Sequence, residues 1–108
     1  MRLFIVRHAK AAAGDPDELR PLTEEGRETA RALGSRLAED GVRPDAILTS
    51  PLLRARETAA EIAKAVGTEQ EPDERLAPGA TPDDFRAVAT GRGETVLVVG
   101  HQPDCGRA

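Results

Sequence analysis

The sequence has no tryptophan or tyrosine, two phenylalanines, two histidines, one methionine and one cysteine among its 108 residues. Each scarcity excludes something. The single cysteine, Cys105, cannot close an internal disulfide and suits a reducing, cytoplasmic setting. With Phe4 and Phe85 as the only aromatics, the core has to be aliphatic. No apolar run approaches the roughly 20 residues that cross a bilayer, so no membrane partner is expected. The opening Met1-Arg2-Leu3 precedes only a short apolar stretch before Arg7, which reads as a strand and not as a signal peptide. Positive charge is also short: the net charge is -4, which argues against a nucleic-acid partner. The length matches a single domain, residues 1–108, burying about 60–70% of its unfolded surface.

Strand and helix signals alternate, which implies a mostly parallel sheet of about four strands flanked by helices on both faces. Leu3-Phe4-Ile5-Val6 reads as a buried strand, followed by a polar loop from Ala9 to Pro21. Thr23 is placed as an N-cap with Glu24 and Glu25 in the first turn, and Ala30, Leu33, Leu37 and Ala38 recur at helical spacing up to Gly41. One face of that helix is expected on the sheet. Ala46-Ile47-Leu48-Thr49 forms a second short strand. Ser50-Pro51 combines a cap with a first-turn proline, and Ala55, Ala59, Ile62, Ala63 and Val66 give the next helix its core face before Gly67. Thr68 to Glu71 reads as a charged edge strand, Thr81-Pro82-Asp83-Asp84 opens a short helix, and Thr95–Val99 is a core strand.

Both histidines fall at the end of a predicted strand, in Arg7-His8 and Gly100-His101. The carboxyl ends of strands in an open α/β sheet are where ligands bind. An imidazole beside a guanidinium there reads as a nucleophile next to an anion clamp. Arg54 falls in the first turns of a helix, whose amino end already favours an anion. Arginine suits phosphate because its planar fork holds two oxygens and keeps its proton. Two arginines and two histidines make an anion site and imply no metal and no other cofactor.

Four segments carry a family resemblance: Val6-Arg7-His8-Ala9-Lys10-Ala11, Arg20-Pro21-Leu22-Thr23-Glu24-Glu25-Gly26, Ser50-Pro51-Leu52-Leu53-Arg54-Ala55-Arg56-Glu57-Thr58-Ala59 and Val99-Gly100-His101-Gln102-Pro103. In this order the chain resembles the histidine phosphatase superfamily, most closely its SixA-type phosphohistidine phosphatases. The resemblance implies a three-layer, phosphoglycerate mutase-like α/β/α fold with strand order 3-2-4-1-5-6. It implies His8 as a nucleophile that becomes transiently phosphorylated, His101 as a hydrogen-bond donor to the phosphoryl group, and Arg7 and Arg54 as phosphate contacts, while Arg20 is either an auxiliary phosphate or substrate contact or a loop charge. Lys10 adds positive potential, and Arg56 faces elsewhere on its helix.

The general acid is where the pattern departs. Gln102 follows His101 where relatives carry an acidic group, and Glu74, Asp83 and Asp104 remain candidates without a motif. A weak acid suits a phosphohistidine substrate, such as an Hpt-like signalling domain, because imidazole leaves readily. A small-molecule phosphomonoesterase and a catalytically weak phosphate-binding module are the alternatives. Cys105 is no thiol nucleophile, because Arg107 lies too close for a Cys-x5-Arg loop. The chain stops soon after the His101 motif, which reads as a domain lacking its C-terminal third. That would leave the first strand as an open edge and invite a two-fold dimer through Leu3–Val6.

Overall fold

The structure is a computed structural model that describes residues 2–101. In chain order it contains β1 (Arg2–Arg7), α1 (Glu24–Glu39), β2 (Ala46–Thr49), α2 (Leu53–Val66), β3 (Gln70–Pro72), α3 (Pro82–Ala89) and β4 (Thr95–Gly100), with short 3-10 turns at Asp17–Leu19 and Glu74–Leu76. Among the described residues no helix is long and apolar enough to cross a membrane.

The strands form one sheet in the order β1-β4-β2-β3, every pairing parallel. This is the first four-strand part of the order that the resemblance implied. Period-2 alternation sends the strand side chains to two separate cores. Leu48, Val96 and Val98 pack with Leu76 and with Phe85, Val88 and Ala89 of α3 on one face. Ile47, Leu97 and Val99 pack with Ala55, Ala59, Ile62 and Val66 of α2 on the other, joined by Phe4 and Val6 and by Leu33 and Leu37 of α1. Helices on both faces give the three-layer α/β/α arrangement.

Three expectations need correction. The Leu3–Val6 strand is not buried: among the described residues β1 pairs only with β4, and Ile5 is 42% exposed. An edge strand has no second neighbour to cover it. The helix expected at Ser50-Pro51 begins at Leu53, with Leu52 at the N-cap and no side-chain cap. The Ser50 hydroxyl instead closes a turn by accepting from Leu52 N–H at 3.3 Å. In α1, Ala38 is exposed, and the fully buried positions are Gly26, Ala30 and Gly34. These small residues let α1 close on α2: a Cβ at Gly34 would lie 3.0 Å from the Ile62 Cα. The same seam carries ion pairs from Arg27 to Glu57 (3.2 Å) and from Arg31 to the buried Glu61 (3.6 Å).

The caps on α1 and α3 agree with the sequence. Thr23 accepts from Gly26 N–H at 2.9 Å, and Thr81 forms a reciprocal capping box with Asp84 ahead of Pro82.

Candidate active site

Register builds the site. Arg7 lies opposite Gly100 in the β1–β4 ladder, and Thr49 lies opposite Val99 in the β2–β4 ladder. The residues that follow each strand therefore emerge side by side at one end of the sheet. Backbone bonds extend the ladders one step further, from His8 N–H to Gly100 O and from Ser50 N–H to Val99 O, both at 3.0 Å. The imidazoles of His8 and His101 consequently meet, with ring centroids 5.1 Å apart and planes inclined by 57°.

His8 is held in one tautomer. Its Nδ1 lies 2.8 Å from Ala9 O, a group that can only accept, so Nδ1 carries the proton and Nε2 keeps its lone pair. Partial burial lowers the His8 pKa below the usual histidine value; the bond to Ala9 works against this, and the charges of Arg54, Arg7 and Arg20 lower it further. The ring is thus kept neutral with Nε2 available.

The loop that carries His8 is tied to the helix that carries Arg54. The Thr58 hydroxyl, buried in α2, accepts from Ala9 N–H at 3.0 Å and donates to Arg54 O at 2.8 Å. The backbone beyond His8 is clamped on α1 as well: Lys10 O accepts from Thr23 N–H at 2.9 Å. The Lys10 ammonium pairs loosely with Glu25 across 3.6 Å, both side chains exposed.

Arg54, the second residue of α2, is buried at 7% exposure. Its Nη1 donates to Asp17 O at 3.0 Å and its Nη2 to Asp17 Oδ2 at 3.3 Å. Arg20 donates from Nη1 to Asp17 Oδ1 at 2.9 Å and from Nε to Ala12 O at 2.8 Å. Those contacts, that from Arg20 first, hold the Asp17 carboxyl below the usual carboxylate range despite opposing desolvation. Arg7 stands exposed at the end of β1. His101 is buried, and its Nε2 bonds the Ser50 hydroxyl.

A cleft of about 670 Å³ runs beside β1 and is lined by Arg7, His8, Lys10, Leu33 and Thr58 among others. Arg54, Arg20 and His101 do not line it. The five expected site residues thus share one end of the sheet, but the cleft takes in only Arg7 and His8, because Arg54 and Arg20 are turned onto Asp17. Of the proposed acids, Glu74 and Asp83 are exposed, Asp83 pairing with Arg86 at 3.8 Å. Gln102, Pro103, Asp104, Cys105 and Arg107 lie outside the described residues.

The sequence reading passed over Asp17, Ser50 as a histidine partner, and Thr58. Ser50 and Thr58 stood inside the motif around Arg54, which was the available signal. Asp17 gave none, being one of several charges in a polar loop.

Residues 3–78 match the family model for the histidine phosphatase superfamily, branch 1. A protein of Picosynechococcus sp. is 39% identical over 117 residues, a match covering 98% of this chain and 69% of that one. The serine/threonine-protein phosphatase Pgam5 of Drosophila melanogaster is 39% identical over 70 residues, covering 64% of this chain and 24% of its own length. The solved structure of a protein histidine phosphatase SixA complexed with tungstate superposes with a TM-score of 0.86 at 30% identity, over 98% of this chain and 72% of that one.

Proposed function

The chain belongs to the histidine phosphatase superfamily, and from that premise we propose that it hydrolyses phosphohistidine on a phosphorylated protein, an Hpt-like signalling domain, in the cytoplasm. The observation that carries the reading is the state of His8: Nδ1 committed to Ala9 O, Nε2 unprotonated, and three arginine charges acting on the ring. Likeness to the SixA structure over nearly the whole chain supports the phosphohistidine substrate.

In this mechanism His8 Nε2 attacks phosphorus. The Nε2–P bond forms as the substrate's P–N bond breaks, and the departing imidazole takes its proton from solvent water. Water then attacks the phosphorylated His8, releasing inorganic phosphate and restoring the free Nε2. Arg7, Arg54 and Arg20 neutralise the equatorial oxygens, and His101 donates to them. Gln102 after His101 supplies no acid, which an imidazole leaving group tolerates better than an alkoxide.

The test compares turnover of a phosphohistidine protein with that of phosphoserine and small phosphate esters. We expect hydrolysis of the first, none of it in His8→Ala, and a loss of about 3–4 kcal/mol of transition-state stabilisation in Arg54→Ala. Preference for the small esters would assign the chain to the small-molecule phosphomonoesterase reading, and preference for phosphoserine protein would favour the activity that the name of Pgam5 gives to that relative. Phosphate binding without turnover would leave a binding module. The open edge of β1 supports a homodimer formed by pairing two copies along that strand.

A further inference from the structure

Arg54 and Arg20 are two of the three guanidiniums assigned above to the phosphoryl group, yet both already hold an anion of the chain itself. The two Asp17 carboxylate oxygens are divided between them, Oδ2 on Arg54 at 3.3 Å and Oδ1 on Arg20 at 2.9 Å. A carboxylate bridging two guanidiniums presents the same acceptor pattern as two oxygens of a phosphoryl group.

The partners differ in how firmly they are held. Arg54 is 7% exposed and fixed on α2, and Arg20 is anchored independently through Nε on Ala12 O. The Asp17 side chain is 58% exposed, on the short 3-10 turn between β1 and α1, a turn with no buried residue. With the carboxylate gone, Arg54 keeps its Nη1 bond to the Asp17 backbone carbonyl and Arg20 keeps its bond to Ala12 O, so neither guanidinium depends on the Asp17 side chain alone, and the exposed carboxylate can swing away without disturbing the core.

We propose that Asp17 is an internal competitor for the Arg54–Arg20 clamp, displaced each time a substrate phosphoryl group binds. The proposal rests on the anion-site reading given above. A carboxylate left in place would stand against an incoming dianion. One that moves aside imposes a uniform cost instead: apparent affinity equals intrinsic affinity multiplied by the fraction of molecules in which the clamp is free. Asp17 thus sets how tightly the enzyme holds both substrate and product phosphate.

The experiment measures the dissociation constant of inorganic phosphate by calorimetry for the wild type, Asp17→Asn, Asp17→Ala and Glu18→Gln. Glu18 is exposed in the same turn, so its exchange changes net charge equally. Both Asp17 variants should tighten phosphate binding, on the order of fivefold, and raise kcat/KM in step through a lower KM. In an Arg54→Ala background the Asp17→Asn effect should vanish. Unchanged or weaker binding in the Asp17 variants, or equal tightening in Glu18→Gln, would overturn the proposal and leave the anion site standing. Absence of phosphate binding in the wild type and in every variant would remove the anion site, and this inference with it.

Discussion

In the proposed reaction one proton at His8 decides whether the nucleophile is available. Because its pKa in the folded chain lies below the usual histidine value, Nε2 stays unprotonated to lower pH than a free imidazole would. We expect the acid limb of kcat/KM to have its midpoint below the ordinary histidine value of about 6.5, in a profile taken from about pH 5 to about pH 8. The linked effect on stability has a definite sign. The unfolded chain binds this proton first, so the contribution of His8 is fully present above the unfolded pKa and is lost as the pH falls through the folded one. At this scale Arg7, His8 and His101 stood out as candidates by falling at strand ends, whereas Arg54 and Arg20 became candidates through the segments that carry the family resemblance. What Arg54 and Arg20 hold was not legible. Asp17 reaches Arg54 from 37 positions away, through a loop whose path no local pattern specifies.

Among the elements, the first turn of α1 is the most tightly constrained. A Cβ at Gly26 would come within 2.2 Å of Lys10 O and 2.9 Å of Lys10 N, both backbone atoms that cannot yield as a side-chain tip would. Gly26→Ala should cost on the order of 1–3 kcal/mol in urea unfolding and reduce turnover as well, since the loop it displaces follows directly on His8. Periodicity and caps located nearly every element: α1 from Thr23, α3 from Thr81-Pro82, and β2 at Ala46–Thr49 as expected. The start of α2 was misplaced because Ser50 has two possible uses. As a cap it would face Leu53; in the fold its hydroxyl faces His101 and the Leu52 amide, a tertiary demand that local preference does not contain. The α1–α2 seam was hidden for a related reason. Gly26, Ala30 and Gly34 carry little apolar surface to register as a stripe, yet they allow the closest approach.

For the molecule as a whole, the proposed dimer is tested at β1, which among the described residues has a neighbour on one side only. Light scattering at micromolar concentration should give twice the mass of one chain, and Ile5→Lys should halve it by placing a charge on the pairing edge. A monomer in the wild type would dismiss the dimer. The alternating strand and helix signals made the three layers legible, and the family resemblance supplied the strand order. Burial of β1 was misjudged because a Leu-Phe-Ile-Val run reads the same at the rim of a sheet as at its centre. The placement of β4 between β1 and β2 carries a temporal consequence. The last of the four described strands occupies the middle, so β1 and β2 have no common neighbour until it threads between them. A nascent chain carries His8 from the outset but cannot organise chemistry around it until that late insertion, a distant contact of the kind that slows folding. Until β4 is in place, nothing brings the His101 imidazole to within 5.1 Å of the His8 ring.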